Sequence, residues 1–279
     1  MKRQKMMAAA VTVAAATSLA ACGSGSGSGS SAQGSCKPAH QFQTMQSGKL
    51  TVAGYDLPPF SKLENNKISG VDGDIINAFA QKECLDVVPK WMATAAVIPT
   101  VQSGRADVGV GDWYRTTART QVVNLTDPMY TDQMAFISKD GIKQVSQLKG
   151  RNVGTVDGYL WVEDLKNYLG GSLKVYSTTL NMNQDLKAGR IDVGVDSYGS
   201  GKYNNPDMKV EVTEPDPAVA ASQEPAQAAL PVGKKNQALL DALNADIAEM
   251  HKNGDIAKFL QKNGLPESAA DTGEARLIG

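Results

Sequence analysis

At 279 residues, 42% of them hydrophobic, the chain is long enough for two compact units of about 100–150 residues each. Its 28 Lys and Arg stand against 29 Asp and Glu, with no basic stripe, which excludes a nucleic-acid-binding footprint. His40 and His251 are its two histidines, and neither lies at ligand spacing from a cysteine, so no metal site and no cofactor is expected.

The N-terminus carries an export pattern. Lys2, Arg3 and Lys5 form a basic start, and Met6 to Ser18 is an uncharged, Ala-rich stretch. It falls short of the about 20 apolar residues that span a bilayer and has the form of a signal-peptide core. Leu19-Ala20-Ala21-Cys22 follows and resembles the lipobox of bacterial lipoproteins. That resemblance implies removal of residues 1–21 and acylation of Cys22, with each buried methylene contributing about 0.8 kcal/mol to membrane attachment. The protein is then exported and lipid-anchored on the extracytoplasmic side, periplasmic or cell-surface. Residues 22–47 comprise the anchor, an alternating Gly/Ser tether and an N-terminal arm. Without the three leader cations the balance is 25 to 29, a net charge of −4. Cys36 and Cys84 remain. In an oxidising compartment this even pair predicts one disulfide, worth roughly 4 kcal/mol in the chain-entropy model; two buried free thiols are the alternative.

The rest of the chain repeats itself. Ser103 to Val110 reads SGRADVGV and Ala188 to Val195 reads AGRIDVGV. Upstream, Gly48 to Val52 leads to Gly54-Tyr55, while Gly150 to Val156 leads to Gly158-Tyr159. Order is preserved, which predicts two α/β lobes built to one plan. Gly104 and Gly189 each close a helical stretch, and Val108 to Val110 and Val193 to Val195 supply short buried strands. Between the first pair of echoes, Ile76, Phe79, Ala80 and Cys84 share a helical face ahead of a strand at 86–88. Towards the end, Leu240, Leu243, Ile247 and Met250 form an apolar stripe behind Asn236 as N-cap. A last helix starts at Asp255 and stops at Gly264. Strands alternating with helices predict mostly parallel sheets, with ligands outside the carboxyl ends of the strands. That places Tyr55 and Asp56, Asp112 to Tyr114 (including Trp113), Tyr159 to Trp161 (including Leu160) and Asp196 to Tyr198 at a shared cleft.

At these residues the chain resembles the bacterial extracellular solute-binding proteins of family 3, from about Gly48 to Gly264. Leu57-Pro58-Pro59-Phe60, Gly70 to Asp74 (GVDGD), Ile98-Pro99, Thr116 to Arg119 (TTAR), Asp127 to Tyr130 (DPMY) and Leu148 to Gly150 (LKG) follow the family's order. The resemblance implies a two-lobed, type II periplasmic-binding-protein-like α/β fold with a ligand cleft between lobes. Residues 48–136 plus 229–279 form lobe 1 and residues 137–228 lobe 2, with crossing strands near Met134 to Ser138 and Ala228 to Val232. It further implies a monomeric solute-binding lipoprotein that hands an amine- or carboxylate-bearing solute to an ABC transporter permease. By the same resemblance Arg119 meets a ligand carboxylate as a planar two-donor fork. Phe60, Asp112, Tyr114, Tyr159 and Leu160 fall among the ligand contacts. Two departures stand out: Leu57 replaces an aromatic lid, and the amine-binding aspartate position is Ser197, with Asp196 one residue short. The aromatic residues beside Asp56, Asp112 and Asp196 predict a box for a cationic solute, each ring contributing about 0.5–2 kcal/mol. A dehydratase-like enzyme on the same scaffold and a sensory lipoprotein are the alternatives.

Overall fold

The computed structural model describes residues 36–278. The leader, Cys22 and the Gly/Ser tether lie outside the described residues. Cys36 and Cys84 are both disulfide-bonded. No helix among the described residues is long and apolar enough to cross a membrane.

The architecture is two five-stranded sheets of matching plan. In the first, Asp86–Trp91, Lys49–Gly54 and Val108–Gly109 run parallel; Pro231–Val232 lies antiparallel beside them, and Asn124–Leu125, antiparallel to it, runs with the first three. In the second, Leu173–Tyr176, Val153–Val156 and Val193–Ser197 run parallel; Met134–Ser138 lies antiparallel beside them, and Lys209–Val212, antiparallel to it, runs with the first three. The strands of each sheet are thus mostly codirectional, as expected from sequence. The single reversed strand of each sheet, Pro231–Val232 or Met134–Ser138, follows a crossing between lobes.

The echoed segments explain the shared plan. Helix Thr94–Gln102 and helix Thr179–Lys187 both end at a left-handed glycine, Gly104 at φ 70° and Gly189 at φ 69°. The amides of Arg105 and Arg190 then bond back to the carbonyls of Thr100 at 3.0 Å and Asp185 at 2.9 Å, which satisfies the helix ends. Two residues on, Asp107 accepts from the Thr51 amide at 2.8 Å and Asp192 from the Asn152 amide at 2.8 Å. Each repeated aspartate thus ties its own strand, the middle one of its sheet, to the parallel neighbour. The strands that follow are continuously buried, as expected for sheets covered on both faces.

The first lobe has one core, in which Leu50, Val52, Phe79, Val108, Leu243 and Ile247 meet. Helix Gln237–Lys252 belongs to it, with Asn236 capping the Leu239 amide as predicted. Its buried face runs through Leu239, Ala242 and Leu243, while Leu240 is half-buried, so the stripe starts one residue earlier than its periodicity implied. Helix Val71–Lys82 also stops before Cys84, which takes a left-handed φ of 59° just beyond it. Nearby, His40, Glu83 and Asp246 converge; the Lys82 ammonium lies 2.5 Å from Asp246 and the His40 ring 2.7 Å from Glu83.

The lobes are joined through a small three-stranded sheet, with Ala226–Ala229 between Trp113–Tyr114 and Tyr130–Asp132. The outgoing chain passes through Tyr130–Asp132 and the returning chain through Ala226–Ala229. The crossing lies a few residues earlier than expected from sequence. Met134–Ser138 is already a strand of the second sheet, and Pro231–Val232 one of the first.

Candidate ligand cleft

The carboxyl ends of both parallel strand sets meet around one narrow cavity of about 20 Å³, room for about one water molecule. Tyr55, Leu57, Asp112, Trp113, Tyr114 and Arg119 line it from one side, and Tyr159, Leu160, Trp161 and Ser197 from the other. The aromatic walls interlock edge to face: Tyr55 on Trp113 at 5.8 Å, Tyr114 on Trp161 at 6.2 Å and Tyr159 on Trp161 at 5.2 Å. Their polar ends are anchored in the protein. Tyr55 donates to the Gly111 carbonyl at 2.8 Å, and the Trp161 indole to Thr155 at 2.7 Å. The rings thus present faces and edges to the cavity.

Arg119 sits in the short helix Thr117–Val122, whose N-cap Thr116 accepts from the Arg119 amide at 3.1 Å. Its guanidinium lies over the Trp113 ring at 4.8 Å and donates to the Tyr114 carbonyl at 2.7 Å. Across the cleft it reaches the Gly158 carbonyl at 3.4 Å. Desolvation in the cleft lowers its pKa to about 10, against the raising effect of Tyr55 and Asp112, so it stays cationic at neutral pH. It makes no ion pair within 4.0 Å among the described residues.

Asp112 is the ionisable acid at the same cavity. It takes a left-handed backbone, φ 53°, a conformation that costs a non-glycine residue about 1 kcal/mol or more. Asp72, wholly buried at the start of helix Val71–Lys82, holds it there. One carboxylate oxygen of Asp72 accepts the amides of Gly111 at 2.7 Å and Asp112 at 2.9 Å. The other accepts the Tyr130 hydroxyl at 2.6 Å. Asp112 Oδ1 is buried with no hydrogen-bond partner. Burial, and then the neighbouring Asp132 carboxylate, push the Asp112 pKa well above the usual carboxylate range.

Not every expected residue reaches the cavity. Asp56 is exposed and accepts from the Trp91 indole at 2.8 Å and the Leu63 amide at 3.1 Å. Phe60 stacks on Tyr130 at 5.5 Å inside the first lobe. Tyr198 lies under the Lys202 ammonium at 5.6 Å. Ser197, not Asp196, lines the cavity. The Asp196 carboxylate turns onto the Ser197 amide at 2.8 Å and the Ser200 hydroxyl at 3.0 Å, and desolvation raises its pKa to about 7. Conversely, Asp72 and Asp132 support the site and were not singled out from sequence. Asp72 lies inside the GVDGD motif, which carries the family resemblance without marking which of its residues reaches the site.

The chain matches the model of the bacterial extracellular solute-binding proteins, family 3, over residues 50–265, and it belongs to that family. It is 27% identical over 227 residues to the arginine-binding extracellular protein ArtP of Bacillus subtilis, covering 78% of this chain and 87% of ArtP. It is 27% identical over 215 residues to the L-cystine-binding protein TcyJ of Escherichia coli, covering 74% of this chain and 78% of TcyJ. Among solved structures, an ancestral arginine-binding protein bound to glutamine superposes with a TM-score of 0.69 at 29% identity. The match covers 78% of this chain and 98% of that one.

Two outcomes follow from the geometry. Asp72→Ala leaves two buried amides and a phenol without an acceptor, so urea unfolding should show roughly 3–5 kcal/mol of lost stability; a loss within the noise of the titration would contradict the anchoring role. At Gly158 (φ 86°), a Cβ would stand 3.0 Å from the Ala95 Cα on the facing lobe. Gly158→Ala should therefore weaken lobe closure, seen as a larger radius of gyration in X-ray scattering of the ligand-saturated protein. An unchanged radius would show that this contact does not limit closure.

Proposed function

We propose that this protein is the extracytoplasmic receptor of an ABC importer, capturing an amino-acid-like solute that carries a carboxylate and a cationic group. The reading rests on one observation: Arg119 and Asp112, both lacking an ion-pair partner within 4.0 Å among the described residues, face one aromatic cavity. A buried cation and a buried acid at one site are best matched by a ligand offering both complements. The relatives add L-arginine as the first compound to test. The role is capture without chemistry. The relatives ArtP and TcyJ are binding proteins, which supports this reading. Membrane attachment through a lipidated Cys22, and action as a monomer beside its permease, complete the proposal. It is supported by the basic start, the short apolar core and the Leu-Ala-Ala-Cys string.

Closure is the transport-relevant event. A cavity of about 20 Å³ is far smaller than an amino acid, so the lobes must part to load. Ligand then stabilises the closed form only through contacts with both lobes. Arg119 already bridges them through Gly158.

Isothermal titration with L-arginine and an amino acid panel tests the reading. Saturable one-to-one binding is expected, and Arg119→Ala should cost roughly 3–5 kcal/mol. Unchanged affinity in that variant would rule out a carboxylate partner. A second test uses pH. Because Asp112 holds a proton above the ordinary carboxylate range near 4, a cationic ligand must expel it. Affinity should therefore rise with pH, and titration in buffers of different ionisation enthalpy should register proton release that Asp112→Asn abolishes. The same shift makes the unliganded protein lose stability as pH rises above about 4, since the folded state keeps a proton the unfolded chain has released. A pH-independent affinity would remove Asp112 from the site.

A further inference from the structure

The chain beyond the family match forms a strap across the hinge. A short turn at Glu267–Ala270 packs on strand Tyr130–Asp132, where the Thr131 hydroxyl donates to the Ala269 carbonyl at 3.3 Å. The following residues are gripped by Gln227, a side chain only 1% exposed on the hinge strand Ala226–Ala229. Its amide nitrogen donates to the carbonyls of Thr272 at 2.8 Å and Glu274 at 2.7 Å. Its oxygen accepts the Arg276 amide at 2.8 Å. The Arg276 guanidinium then donates to the Pro225 carbonyl at 2.6 Å.

The strap ends at the Arg119 helix. Ile278 forms a parallel bridge with Thr116: its amide donates to the Arg115 carbonyl at 3.0 Å, and its carbonyl accepts the Thr117 amide at 3.1 Å. Thr116 is the N-cap that holds the Arg119 amide. The Ile278 side chain is 6% exposed and packs in one apolar cluster with Tyr114 and Trp161, two walls of the cavity. The strap thus engages both hinge strands and the residues that start the Arg119 helix, besides packing on helix Asp255–Lys262. A tail that merely covered a surface groove would not insert its last apolar side chain behind the ligand box.

We propose that Ile278 is a positioning residue for ligand recognition: the strap fixes the first turn of the Arg119 helix against the hinge strand, setting Arg119 in register with Tyr114 and Trp161. The assignment rests on Arg119 as a ligand-binding group, yet its backbone consequence can be measured without ligand. In the full chain, Ile278→Asp should speed hydrogen exchange at the amides of Thr117 and Arg119, leaving helix Gln237–Lys252 protected. Ile278→Val should behave as the parent. With L-arginine as probe, Ile278→Asp should lower affinity about tenfold, within the usual range of coupling between sites. In an Arg119→Lys background the same change should cost less than about twofold, the sign that it acts through Arg119. Removal of residues 274–279 provides a variant without a buried charge, with the same outcome expected. Unchanged exchange at Thr117 and Arg119, or an affinity loss of full size in the Arg119→Lys background, would overturn the proposal. If the parent chain does not bind L-arginine, the ligand reading fails and the exchange result alone decides the strap.

Discussion

A charged side chain taken out of water is stable only when something answers its charge. Among the described residues the cleft offers an ion-pair partner neither to Arg119 nor to Asp112, whose carboxyl is held protonated above the usual range instead. Arg119 is capped by carbonyls and an aromatic face, with no ion pair among the described residues. Asp112 keeps one oxygen buried and unpartnered. Had the chain supplied a carboxylate to one and an ammonium to the other, the site would be a closed internal salt bridge with no demand for a ligand. Neither mate is present among the described residues, and the surrounding structure holds both groups in place. Asp72 pins the loop that presents Asp112, Thr116 starts the helix that presents Arg119, and interlocked rings keep water from screening either group.

That arrangement needs two rigid halves that can separate. The repeated Gly-Arg-x-Asp segment makes each half rigid by the same device: a left-handed glycine ends the helix, and the aspartate accepts a backbone amide from the neighbouring strand segment, Thr51 in one half and Asn152 in the other. The joint between the halves is slight by comparison, a three-stranded patch of short strands. Motion is thereby concentrated at the hinge while each wall of the cleft keeps its shape. Close backbone approach at Gly158 and Ala95 shows how tightly the walls meet when shut.

Much of this was legible in the chain. The two echoes located both central strands, their helix caps and the residues at their carboxyl ends, and nine of the cavity's lining residues come from those ends or from the Thr-x-x-Arg segment. What could not be read was side-chain direction. Asp56 follows a strand end as closely as Tyr55 does, yet the alternation of a strand turns it outward to Trp91. Asp196 and Ser197 differ by one position, and local bonding to Ser200 decides which faces the cavity. Asp72 and Asp132 are far from the echoes in sequence and act through contacts made only on folding. The one reversed strand in each sheet was not legible, because periodicity marks a strand but not the side from which the chain enters it. Phe60, likewise, is apolar enough for core or pocket, and packing against Tyr130 settles it as core.

A crystal structure of the protein grown with L-arginine tests the central claim most directly. The account predicts the ligand enclosed between Tyr55, Trp113 and Trp161, its carboxylate on the Arg119 fork and a cationic group within hydrogen-bonding distance of Asp112 Oδ1. Density for the ligand outside this cavity, or an enclosed ligand touching neither charge, would contradict it.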